Sequence, residues 1–189
     1  MDPVKNPFAP GAGSRPPELA GRQAIINDAR VAIDRALLGR PSRSQVFLGL
    51  CGVGKTVLLN AVETMANERG HLTSSIEAPE SKPLGELLLP RVHQVLRKLS
   101  LTDNAKGKAY EALRALRSFA AVFNFEYGDM SISVDPEVGV ADSGDLENDL
   151  PELFVRIGEA AKAAGKAWTL LIDELQYLSQ KDLAALIVS

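Results

Sequence analysis

At 189 residues, 46% of them hydrophobic and 24% charged, the chain has the size and composition of a single soluble domain with a proper core. A net charge of -3 excludes a global attraction to nucleic acid or an anionic membrane, and leaves only a local basic face open. One cysteine excludes an internal disulfide, and no apolar run approaches the length that spans a membrane. The start, "MDPVKNPFAPGAGSRPPE", lacks the charged end and apolar centre of a signal peptide, so a cytoplasmic protein is expected.

Residues 1–17 are rich in proline and glycine and read as an extended arm, with one folded domain expected over 18–189. "GRQAIINDARVAIDRALLGR" places Ile26, Ala29, Ile33 and Leu37 at helical spacing, with Gly39 as a stop. "QVFLGL", residues 45–50, is a short apolar run bounded by polar residues and glycine, which predicts a buried strand. "KTVLLNAVETMANERG" predicts a helix with Leu58, Leu59, Val62 and Met65 inward and Gly70 at its end. "HLTSSIEA" is the second strand candidate.

Residues 81–127 read as helical. Pro90 interrupts the apolar pattern of "SKPLGELLLPRVHQVLRKLS", which predicts a kink or two shorter helices. The next helix carries Tyr110, Leu113, Leu116, Ala120 and Phe123 on one side. "MSISVDPEVGVAD" predicts a β-hairpin turning at Asp135-Pro136-Glu137. The helices and hairpin between about Lys82 and Ala141 are expected to form an insertion-like lobe. A helix from about Leu146 to Ala164 follows, with Pro151 suggesting a late start, and "AWTLLIDE" is the third strand candidate. "LQYLSQKDLAALIVS" begins a last helix whose apolar Leu183, Leu186 and Ile187 call for a following element, as in a fragment of a longer protein. Strands separated by helices predict a three-layer α/β fold with a mainly parallel central sheet.

The chemistry concentrates at two places. Gly49-x-x-x-x-Gly54-Lys55-Thr56 meets the phosphate-loop pattern between a strand candidate and an apolar helix. Gly52 and Gly54 permit positive φ and close approach of backbone N–H groups to an anion, and the helix beginning near Lys55 aims its N-terminal dipole at the same point. Lys55 supplies a point charge for the β and γ phosphates, and the Thr56 hydroxyl suits Mg²⁺. The bland alternative is a glycine-rich turn that binds nothing. "WTLLIDE" answers it: a buried strand would carry Asp173 to its carboxyl end, where it can hold Mg²⁺ through water, with Glu174 placed to orient or deprotonate a water.

"GLCGVGKT" and "LLIDE" resemble the Walker A and Walker B motifs of AAA+ ATPases, more narrowly those allied to the initiator and signal-transduction NTPases. "PPELAGR", residues 16–22, is similar to the segment with which those proteins cradle adenine. The resemblance runs from about residue 16 to the end. It implies a P-loop nucleotide-binding domain that takes ATP and Mg²⁺, with Thr56 and Asp173 on the metal and Glu174 and Lys55 in catalysis. It implies nucleotide contacts from Gly49, Cys51, Gly52, Val53, Gly54, Lys55, Thr56 and Val57, and a base pocket from Leu19, Ala20, Gly21 and Arg22. The family's sensor strand, arginine finger and C-terminal lid are not in this sequence, so weak turnover by this chain alone is expected.

Two functions stay open: a Mg²⁺-dependent ATPase driving motion in a larger protein, and a slow nucleotide-gated switch with protein or DNA partners. GTP is disfavoured by the lack of an "NKxD"-type segment. Cys51 reads as space-filling rather than redox-active, and His71 and His93 have no partners at metal-ligand spacing. The basic set Arg91, Arg97, Lys98, Lys106, Lys108, Arg114 and Arg117 reads as a solvated face, because acids dilute it and no aromatics interleave.

Overall fold

A computed structural model describes residues 22–40, 42–49, 54–125 and 134–189. Within them the order is α1 (Gln23–Leu37), α2 (Lys55–Glu68), β1 (Leu72–Glu77), α3 (Leu84–Ser100), α4 (Lys106–Val122), α5 (Leu146–Ala163), β2 (Trp168–Asp173) and α6 (Gln180–Val188). Short 3-10 turns at Asp103–Ala105 and Leu175–Tyr177 lead into α4 and follow β2.

β1 and β2 pair in parallel, from Leu72 opposite Trp168 to Glu77 opposite Asp173. The connection between them is α3, α4 and α5, the long crossover that a parallel pair requires. Alternation along the strands assigns the two faces. Trp168, Leu170 and Ile172 join Leu72 and Ile76 in the larger core with α3, α4 and α5. Leu171 turns the other way, into a smaller core with Ala29 and Ile33 of α1 and Val62 and Ala66 of α2. On that second face Thr73 Oγ1 donates to Glu63 Oε1 at 3.2 Å and to Asn67 Oδ1 at 3.1 Å, fastening α2 to β1. Helices thus cover both faces of the strand pair.

His71, just ahead of β1, joins three elements. Its Nε2 donates to the Ile33 carbonyl at 3.1 Å, so the neutral ring's Nδ1 accepts from Thr169 Oγ1 at 2.8 Å. The ring is buried, and that desolvation lowers its pKa from the ordinary value, against the raising effect of the Ile33 carbonyl and Asp34.

Both predicted strands at 71–78 and 167–174 form, but of the buried strand predicted over 45–50, residues 45–49 form none and residue 50 lies outside the described residues. Among the described residues the strand that pairs with β2 is β1. Among the described residues of that run only Phe47 packs against a core, while Val46 and Leu48 are exposed, Leu48 by 90%. An apolar run shows that burial would be favourable; it does not select a partner.

The hairpin is also absent among the described residues: 134–142 contain no strand, and the earlier arm lies outside them. The backbone there is satisfied by helices. Arg114 Nε donates to the Asp135 carbonyl at 3.3 Å, Ser118 Oγ to the Glu137 carbonyl at 2.7 Å, and Ala141 N to Glu152 Oε2 at 2.7 Å. With those groups already paired, a second strand has little to contribute.

Nor do α3 and α4 form an appended lobe. Leu88, Leu96, Leu116 and Phe119 are fully buried in the same core as Leu150, Leu153 and Ile157 of α5. α3 runs as one helix through Pro90, and α5 starts at Leu146 despite Pro151, because Asp145 caps it by accepting from Glu147 N at 3.2 Å. Tyr110 is exposed, since the close-packed face of α4 is built from Ala109, Ala112, Ala115, Leu116 and Phe119. The final helix begins only at Gln180, where Ser179 and Asp182 form a cap: Asp182 N donates to Ser179 Oγ at 3.1 Å.

Candidate functional site

Two chain segments far apart in sequence meet at the carboxyl end of β2. Gly54 occupies the N-cap of α2 with φ 81° and ψ 35°, a left-handed conformation that glycine adopts without a Cβ penalty. That turn starts α2 at Lys55, so Thr56 lies in its first turn. From the other side, β2 ends on Asp173, and Thr56 Oγ1 donates to Asp173 Oδ2 at 2.6 Å. α2 is held in this position by Leu58 and Val62, which are buried.

Lys55 Nζ donates to the Gly49 carbonyl at 2.9 Å. Arg22, immediately before α1, donates from Nη1 to the Gly54 carbonyl at 3.1 Å, and the same carbonyl accepts from Leu58 N at 3.1 Å. The start of α1 and the start of α2 are therefore joined at Gly54. Sequence reasoning assigned Arg22 to a base pocket and gave no sign of this contact.

Glu174 has φ 58° and ψ 39°, left-handed for a residue that carries a Cβ. Its backbone N donates to Asp173 Oδ1 at 2.9 Å, so both Asp173 carboxylate oxygens accept hydrogen bonds, one local and one from Thr56. Backbone strain of this kind collects where neighbouring structure over-determines the chain, often at functional sites. Gln176 Nε2 donates to Glu174 Oε2. No spacing in the sequence marks Gln176, because its approach depends on the unusual backbone at Glu174.

Among the expected site residues, Gly49, Gly54, Lys55, Thr56, Val57, Asp173, Glu174 and Arg22 are described, and Leu19, Ala20, Gly21, Cys51, Gly52 and Val53 lie outside the described residues. A cavity of about 480 Å³ lies elsewhere, beside Phe123, Phe125, Leu146 and Tyr177, and none of the expected site residues lines it. Several cations of the basic set have internal partners. Lys108 pairs with Glu111 at 2.8 Å and Glu159 at 3.5 Å, while Arg114 and Arg117 hold the carbonyls of Asp135 and Val134. Among the described residues no helix is long and apolar enough to cross a membrane.

Comparison with known families places this geometry. The AAA ATPase domain model matches residues 18–188, nearly the whole chain, and the chain belongs to that family. The family is one of nucleotide-binding P-loop domains, and the resemblance read from the two motifs agrees with it. No curated protein and no solved structure matches the chain.

Proposed function

We propose that the chain binds ATP with Mg²⁺, and that the protein to which it belongs hydrolyses it to ADP and phosphate to drive a conformational change. The observation that carries this reading is the 2.6 Å contact between Thr56 and Asp173. It brings a hydroxyl and a carboxylate, both hard oxygen donors, to one point beside the start of α2, a donor set that fits Mg²⁺ and its preference for oxygen. Thr56 and Asp173 would hold the cation, which would supply positive charge to offset the charge that develops on the phosphates.

In this reading Lys55 moves its ammonium from the Gly49 carbonyl to the β and γ phosphates. The N–H groups at the start of α2 turn toward the same oxygens. Glu174 accepts the proton of the attacking water, a role that contributes ~10²–10⁴-fold where it operates. Residues 19–22 contact the base, and the Arg22–Gly54 bond would couple that segment to the phosphate side. The two strands are taken as part of a wider parallel sheet, supported by family membership and by helices on both faces. The folded domain is taken as 18–189, after an arm at 1–17, with protein or DNA partners engaged by further regions and a cytoplasmic location.

Phosphate release from ATP, measured for the wild type, Lys55→Ala and Glu174→Gln, tests the proposal. Lys55→Ala should lose binding, and Glu174→Gln should bind ATP normally while release falls at least tenfold. Normal binding with release independent of Glu174 would contradict hydrolysis at this site and leave a nucleotide-gated switch.

A further inference from the structure

We infer that Gln176 is a positioning residue for Glu174: its amide holds one carboxylate oxygen so that the other faces the attacking water. The inference rests on the proposed role of Glu174 and adds a residue to which neither the motifs nor the family match assigns anything.

The geometry has three parts. Gln176 Nε2 donates to Glu174 Oε2, while Oε1 has no hydrogen-bond partner among the described residues. A carboxylate anchored through one oxygen keeps the other available as an acceptor, with its rotation about the last side-chain torsion suppressed. The second part is the backbone. Glu174 is left-handed at φ 58°, and the chain then enters the 3-10 turn Leu175–Tyr177, where Tyr177 N donates to the Glu174 carbonyl at 3.0 Å. That turn brings the side chain two positions on back against Glu174, whereas in an α-helix residues i and i+2 do not face each other.

The third part is what fixes the turn. Glu174 N is bound to Asp173 Oδ1, Asp173 Oδ2 is bound to Thr56, and Leu178 behind the turn is buried in the larger core. The orientation of the proposed base is thereby tied to the same carboxylate that meets Thr56. A glutamine suits the position, because its amide donates without adding a charge. A lysine there would form an ion pair and a glutamate would repel.

Single-turnover phosphate release, with protein in excess over ATP·Mg²⁺, tests the inference alongside nucleotide affinity and melting temperature. Gln176→Met keeps the length and removes the donor. It should lower the hydrolysis rate about two- to tenfold, the range expected from one net hydrogen bond, with nucleotide affinity and melting temperature unchanged. Gln176→Glu should lower the rate further, and Gln176→His, which retains an N–H donor, should recover part of the loss. A Gln176→Met rate equal to wild type, or a loss that tracks affinity or melting temperature, would overturn the positioning role. Glu174→Gln is the separate control: if it hydrolyses ATP at the wild-type rate, the proposed role of Glu174 fails, and the role of Gln176 with it. If Glu174→Gln is inactive and Gln176→Met is not impaired, only the inference about Gln176 fails.

Discussion

Thr56 and Asp173 stand 117 positions apart in sequence, yet a 2.6 Å hydrogen bond joins the first turn of α2 to the last residue of β2. The contact is solvent-exposed, so removing it should cost little stability, within about 1 kcal/mol. Thr56→Val is expected to fold normally and to lose the Mg²⁺-dependent part of ATP affinity. Titrations with Mg²⁺ and with EDTA measure this: the variant and the wild type should differ in the first and converge in the second.

Gly54→Ala tests the backbone instead. A Cβ at Gly54 would have only ordinary contacts, with Arg22 Nη1 and Val57 Cβ each at 4.0 Å, so sterics do not forbid it. The left-handed φ of 81° does penalise it, by about 1–2 kcal/mol. Denaturant unfolding should show that loss, and nucleotide binding should weaken because the turn relaxes away from the geometry that starts α2 at Lys55.

Phe119→Ala asks whether α4 belongs to the main body. Phe119 is fully buried, with its ring tilted against those of Phe123 and Phe125 at centroid distances of 4.9 Å and 6.0 Å. Its truncation should cost about 3–5 kcal/mol and lower the melting temperature of a single transition by at least about 6 °C. Two separate transitions, with only one displaced, would indicate an independent lobe.

Stability should fall in mild acid. Burial lowers the pKa of His71, and burial followed by the nearby Arg97 lowers that of His93, both below the ordinary 6.5. The unfolded chain then takes up protons that the folded chain refuses, so this contribution is complete above about pH 6.5 and is lost as the pH falls below it. Urea midpoints at pH 7.5 and 5.5 measure the slope. His71→Gln should be less stable at pH 7.5, through loss of the bridge between Ile33 and Thr169, and less sensitive to pH.

Much of this architecture was legible in the sequence because it rests on local signals. Apolar spacing fixed α1 and α2, and the apolar run ending in Asp173 and Glu174 marked β2 and the end of the strand where Thr56 arrives. What escaped prediction depends on distant partners. Asp135-Pro136 is good turn chemistry, but Arg114, Ser118 and Glu152 take the backbone groups a hairpin would use. Pro90 lies in a helix whose flanking Leu88, Leu89 and Val92 are fully buried, and that packing outweighs one missing hydrogen bond. Val46 and Leu48 show the reverse, an apolar pattern without burial. Gln176 was invisible because residues 175–177 read as the start of an α-helix, where residues i and i+2 do not face each other, whereas they form a 3-10 turn.

The most direct measurement is a thermal-shift titration of the wild type and Lys55→Ala with ATP·Mg²⁺. At a hundredfold excess over the dissociation constant the ligand should stabilise the wild type by ~2.7 kcal/mol, a rise of roughly 5–10 °C for a chain of this length. Lys55→Ala should lose most of that rise, with its unliganded melting temperature near the wild-type value. An absent shift in the wild type, or an equal shift in Lys55→Ala, would contradict nucleotide binding at the loop between Gly49 and Thr56.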